Sequence, residues 1–128
     1  MALHCEDDSI IKINAEKYQK EFEDEIPVCL HPKIRNEEAC LKATKSVLET
    51  ATKHNARVHL LHISTIAEAN LLDNTIPVNE KRVTAEACVH HLWFSENDYK
   101  LFGNKIKWNP SIKTEQDKNG LLRYTTVQ

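Results

Sequence analysis

A chain of 128 residues, 41% of them hydrophobic, is long enough to bury one core, and its formal net charge of -2 arises from acids and bases mixed along the chain. That balance gives no electrostatic footprint for nucleic acid, and no stretch approaches the ~20 apolar residues of a membrane span. The opening Met1-Ala2-Leu3-His4-Cys5-Glu6-Asp7 has neither the basic nor the apolar region of a secretory leader, so a cytoplasmic location is expected. With only two glycines, Gly103 and Gly120, the turns must draw on Asn, Asp and Pro. The cysteines at 5, 29, 40 and 88 form no CxxC pair and read as free, mostly buried thiols.

The first β-like run is very short, Met1 to Leu3. Residues 36–54 place Ala39, Cys40, Ala43, Val47, Leu48 and Ala51 on one helical face, with Asn36 as N-cap and two glutamates suited to the helix dipole behind it. A second strand is expected over 57–63 (RVHLLHI). Thr65-Ile66-Ala67-Glu68 has capping-box spacing and opens a short helix through Leu72. A third strand covers 82–89 (RVTAEACV), and Ser95-Glu96-Asn97-Asp98 opens another helix. The tail, Leu121 to Gln128, reads as the start of a helix that turns into β-prone residues without a stop signal. Strands alternating with helices predict βα units and a parallel sheet, forming one domain over 1–128. A first strand with nothing before it and a tail without a cap suggest an incomplete unit.

Parallel α/β folds place their chemistry at the C-terminal ends of strands. His4 and His62 both lie there. Neutral imidazoles from neighbouring strand ends can converge on one divalent ion, although two ligands do not complete a zinc site, and both histidines read equally well as packed or hydrogen-bonded residues. Strict alternation puts Val58, Leu60 and His62 on one face and His59, Leu61 and Ile63 on the other. The doublet His90-His91 follows the third strand and reads as structural, with a pocket role as the lesser reading. Asn109 precedes Pro110, which favours an extended backbone and could hold its amide toward a pocket; an ordinary turn is the alternative. Glu86 could face a sheet interior, but no partner for it can be named.

In His4-Cys5-Glu6-Asp7, His31-Pro32-Lys33-Ile34-Arg35, His62-Ile63-Ser64-Thr65, Thr84-Ala85-Glu86 with His90-His91-Leu92, and Lys107-Trp108-Asn109-Pro110, the sequence resembles bacterial dihydroorotases of the amidohydrolase superfamily. Each segment is weak alone; their order over residues 1 to about 123 carries the resemblance. It implies a partial TIM-type (β/α)8 barrel, from the end of the fifth strand to just beyond the seventh. It also implies Zn2+ as cofactor, His4 and His62 as metal ligands, and Asn109 as a substrate-binding residue. Glu86, His90 and His91 match recurrent family residues without an assigned role.

The implied reaction is the zinc-dependent interconversion of N-carbamoyl-aspartate and dihydroorotate in pyrimidine biosynthesis. The family's remaining metal ligands and its catalytic aspartate fall outside these residues, so no catalytic residue is expected within the chain, and the chain alone is expected to be inactive. The expected partner is the small-molecule substrate, without nucleic acid or membrane, and with room for a homo-oligomer. A hydantoinase- or allantoinase-like fragment, and a non-catalytic dihydroorotase-like association module, are the alternatives.

Overall fold

Three short parallel strands, β1 (Ala2–Leu3), β2 (Val58–Leu60) and β3 (Val83–Ala85), lie in sequence order in the computed structural model, which describes residues 1–23 and 25–126. Ala2 is in register with His59, and His59 with Thr84. Parallel neighbours require crossovers, and helices supply them. The first crossover carries α1 (Asp8–Phe22), α2 (His31–Ile34) and α3 (Glu37–Lys53); the second carries α4 (Ile66–Ala69). β3 leads into α5 (Val89–Trp93), α6 (Tyr99–Phe102) and α7 (Glu115–Thr126), and α7 packs on α4 and α5. The arrangement is the partial (β/α) barrel expected from the sequence. None of the described helices is long and apolar enough to cross a membrane.

Local chemistry explains where most elements start. Asn36 accepts a bond from the Ala39 amide at 3.0 Å and opens α3, which buries Ala39, Cys40, Thr44 and Ala51. Thr65 and Glu68 form the expected reciprocal box, but α4 stops at Ala69 rather than Leu72. Ser95 and Asp98 also form their box, which first opens a single 3-10 turn, Glu96–Asp98, before α6. α1, α2 and α5 were not foreseen, the last because the third strand was expected to run through Val89. Asp7 caps α1 by accepting from Ile10, and that helix buries none of its residues, so it leaves little apolar periodicity to read. Thr114 and Asp117 bond each other's amides at 3.1 and 3.3 Å and start α7 at Glu115 rather than 121. Of the β-prone tail, Val127 and Gln128 lie outside the described residues.

The strands are shorter than the expected 57–63 and 82–89. Ladder bonds continue past β2, from the Leu61 amide to Leu3 at 2.9 Å and from Ile63 to Glu86 at 2.8 Å. His62 interrupts the strand with a positive φ of 40°. β3 gives way early because Cys88 is already the N-cap of α5. Positive φ also occurs at Asn55, Glu23 and Gly103, so only Asn55 among them follows the expected reliance on Asn, Asp and Pro. At Gly120 the constraint is space: a Cβ there would stand 2.6 Å from Ile66 Cδ1.

The main core joins Cys5, Leu60, Ile63, Ala69 and Leu121, with Leu3, Val47, Leu48 and Val83 packed around them. A smaller cluster of Tyr99, Ile106 and Ile112 lies under the loops after β3, where the Tyr99 hydroxyl accepts from the Ile112 amide at 3.3 Å. All four cysteines are free, Cys5 and Cys40 buried, Cys88 half-buried and Cys29 exposed.

One acid is placed inside this core. Glu68 is 1% exposed. Its Oε1 accepts from Thr44 Oγ1 at 3.0 Å, and its Oε2 accepts from the amides of Ser64 and Thr65, both at 3.2 Å, and from Thr65 Oγ1 at 2.9 Å. Burial pushes its carboxyl upward, and these donors and the Lys113 charge pull it back. The side chain thereby ties the segment just after His62 to α3. Glu68→Ala leaves these buried donors without an acceptor and is expected to lower folding stability by about 3 kcal/mol, read from urea denaturation of the two proteins.

Candidate metal centre

β1 and β2 are adjacent and parallel, so their C-terminal ends lie together, and His4 and His62 follow those ends. The rings meet edge to face with centroids 4.9 Å apart. His4 Nδ1 lies 3.3 Å from His62 Nε2. Strict alternation does not account for this meeting. Val58 and Leu60, which it grouped with His62, are both buried, and Leu60 belongs to the main core with Cys5 and Leu3. His62 is not buried with them, because its positive φ takes it out of strand geometry and lets Ile63, not His62, enter that core.

Glu6 fixes the orientation of His4. Its carboxylate, on a side chain only 1% exposed, lies 3.0 Å from His4 Nε2 and also bonds Arg35 Nη1. The contact with Glu6 assigns the proton to Nε2 and leaves Nδ1 with a bare lone pair facing His62. The His62 ring then lacks a partner whichever tautomer it takes. If Nε2 donates to His4, Nδ1 is a buried lone pair without a donor; if Nδ1 carries the proton, two bare nitrogens face each other. A shared divalent cation would relieve the two facing nitrogens of the second case and leave only the His62 Nδ1–H to be met. With zinc–nitrogen bonds of 2.0–2.1 Å and tetrahedral angles, two ligand nitrogens stand about 3.3–3.4 Å apart, and the observed separation is 3.3 Å. The separation is one that two ligands of a single divalent cation would have.

Sequence reasoning missed Glu6 and Arg35 as parts of this site. In the sequence Glu6 stands out only as a member of the His4-Cys5-Glu6-Asp7 segment, and its pairing with Arg35, 29 residues on, has no local signal.

The remaining candidates gather after β3. His91 is 3% exposed, and its Nε2 donates to the Pro110 carbonyl at 3.0 Å. His90 stacks on Trp108 at 4.2 Å with the planes 13° apart. His31 Nε2 bonds the Trp108 carbonyl at 2.7 Å, and Ser111 donates to the Arg35 carbonyl at 2.8 Å. The loop carrying Asn109 is thus clamped on both sides while Asn109 itself is exposed, joined to Pro110 by a cis peptide bond. Burial, with a smaller push from His62, holds both His90 and His91 below the ordinary imidazole range. Glu86, for which the sequence offered no partner, pairs with His59 at 3.3 Å, and His59 Nδ1 bonds Thr84 at 2.8 Å. Both members of that ion pair are well exposed, so it adds little stability.

The chain can be compared with known proteins. No family model matches it. A dihydroorotase of Methanosphaera stadtmanae is 29% identical over 114 residues, and an allantoinase of Bacillus velezensis is 31% identical over 122 residues. These alignments cover 88% and 95% of this chain but 26% of each relative, so the chain spans about a quarter of their length. Among solved structures, an L-hydantoinase (dihydropyrimidinase) from Arthrobacter aurescens superposes with a TM-score of 0.83 at 16% identity, covering 94% of this chain and 26% of that one. That likeness supports the barrel fold.

Two measurements check this geometry. Glycine adopts a positive φ without strain, so His62→Gly is expected to be more stable than His62→Ala by about 1 kcal/mol in urea denaturation. Burial pushes the His91 imidazole down to about 4 from an ordinary 6.5, so between those values the unfolded chain binds a proton that the folded chain does not. The stability linked to His91 is full above pH 6.5 and is lost as the pH falls toward about 4. In chelator, denaturation at stepped pH should show a steeper loss for the wild type than for His91→Gln over that window.

Proposed function

We propose that this chain, which belongs with the dihydroorotases and allantoinases of the amidohydrolase superfamily, is the part of a metal-dependent cyclic-amide hydrolase that supplies two metal-binding histidines and one wall of the substrate pocket. The observation that carries the reading is the 3.3 Å approach of His4 Nδ1 to His62 Nε2, with Glu6 holding the far nitrogen of His4. We assign the ion as Zn2+, and a divalent ion there supplies Lewis-acid polarisation of the amide carbonyl and lowers the pKa of water.

The chain's own residues prepare the site. Glu6 and Arg35 orient His4, and the Glu68 hub holds the backbone after His62. The clamped loop of Trp108 and Pro110 presents Asn109, whose amide offers both a donor and an acceptor to the ring or the carboxylate of a substrate. The proton-moving acid and the remaining metal ligands we place on parts of the barrel outside these residues. On that basis the chain alone is inactive.

Among ring substrates we favour dihydroorotate, interconverted with N-carbamoyl-aspartate in pyrimidine biosynthesis, because dihydroorotases recur among the relatives. A specific observation keeps a second reading, since the allantoinase of Bacillus velezensis aligns over 95% of the chain. The discriminating experiment assays the full-length protein that contains this segment, with Zn2+, on dihydroorotate, allantoin and hydantoin. Turnover of dihydroorotate, reduced at least 1,000-fold by His62→Ala, is the expected result on the scale of lost catalytic groups. Turnover of allantoin instead would select the second reading. Turnover by the 128-residue chain alone would overturn the division of the site between segments.

A further inference from the structure

We propose that Cys88, His90 and His91 form a second cation site, separate from His4 and His62, that takes a borderline-soft divalent ion such as Zn2+ through one thiolate and two imidazoles. One ligand atom from each of the three residues lies within 4.8 Å of the others. The backbone produces this grouping. Cys88 is the N-cap of α5 but makes no side-chain capping bond, so its sulfur is not committed to the helix end. The His91 amide bonds the Cys88 carbonyl at 2.9 Å, closing a turn that brings residues three apart onto one face.

The decisive feature is His91. A carbonyl can only accept, so the 3.0 Å contact with Pro110 fixes the proton on Nε2 and leaves Nδ1 as a lone pair. That Nδ1 is buried and has no hydrogen-bond partner, on a residue only 3% exposed. A buried acceptor without a donor is costly, and a ligating histidine commonly gives its other N–H to a backbone carbonyl in just this way. His90, 4.4 Å from His91 by ring centroids, is held by its stack on Trp108. Burial lowers the proton affinity of both rings, which keeps their lone pairs free at neutral pH.

Nitrogen and sulfur ligands of a tetrahedral zinc stand about 3.3–3.6 Å apart, so from within 4.8 Å the cluster closes by rotation of the half-buried Cys88 and by a shift of His90 against Trp108. The donor set disfavours magnesium and calcium, which take oxygen ligands. Burial and the Glu86 charge favour the protonated Cys88 thiol, so binding forms the metal–sulfur bond and releases that proton to solvent. Three protein ligands leave a fourth position for water or an incoming ligand. The inference stands on these residues and does not rest on the proposed hydrolase activity.

The test is a Co2+ titration of the 128-residue chain under reducing conditions, read by the near-ultraviolet thiolate-to-cobalt charge-transfer band and the visible bands of a tetrahedral ion. The band is expected in the wild type and in the double variant His4→Ala/His62→Ala, and Zn2+ should displace it. It should vanish in Cys88→Ser, which leaves Cys5, Cys29 and Cys40 as internal controls. His90→Ala, at a half-buried position chosen in case His91 variants fail to fold, should weaken Co2+ binding at least tenfold. Absence of the band in the wild type, its survival in Cys88→Ser, or its loss in the His4/His62 double variant would each overturn the proposal, the last by showing that one shared ion accounts for both clusters.

Discussion

The carboxylate of Glu68 is the constraint on which the rest of the site depends. An acid nearly excluded from solvent is costly unless its oxygens find donors, and here α3, the post-strand turn and the start of α4 all supply them. Those donors come from three elements, which also meet through Cys40 Sγ and Ser64 Oγ and through the apolar packing of Val47 and Leu48. Satisfying one buried acid therefore helps set the distance between α3 and the end of β2. The turn at His62 sits directly in front of these bonds, so the strained residue is held from its C-terminal side by polar contacts and from its N-terminal side by the β ladder.

That arrangement explains how two imidazoles come within contact distance although the regular strand would have turned one of them away. Left-handed backbone at a non-glycine residue costs on the order of 1–3 kcal/mol and persists where its surroundings over-determine it. On the other side of the pair, His4 is aligned by a carboxylate that is itself anchored by Arg35. Each histidine is thus positioned by a buried acid, Glu6 for one and Glu68 for the other, through different means. Glu6 acts on the ring and Glu68 on the backbone.

The sequence made visible what is local. Asn36, the Thr65 and Glu68 box and the Ser95 and Asp98 box announce helix starts within four residues, and all three form as read. Strand ends bearing His4 and His62 were equally readable, because alternation of strand and helix implies a parallel sheet. What could not be read is what depends on distant partners: the positive φ at His62, the pairing of Glu6 with Arg35, and the use of a backbone carbonyl at Pro110 to set the tautomer of His91. The departures among the helices differ in kind. Thr114-Glu115-Gln116-Asp117 carried a legible signal that places the start of α7 ahead of 121, α1 buries nothing and so offers little periodicity, and α2 and α5 are too short to show any. For Asn109 the sequence left open an extended residue held toward a pocket or an ordinary turn, and the structure supplies the clamped loop and leaves the residue exposed.

Asp117 shows what such a construction permits over evolutionary time. One oxygen accepts from the Ile66 amide at 3.0 Å and the other from the Thr114 amide at 3.3 Å, so a single buried side chain clasps the chain just after the second strand to the chain at the start of the last helix. The segment between those points carries β3, α5 and α6, and this one side chain holds its two ends together. The exposed stretch from Asp73 to Glu80 within it can lengthen, shorten or change chemistry while the two strand-end histidines stay where they are. A barrel fastened in this manner separates the part that must hold its geometry from the part that can vary.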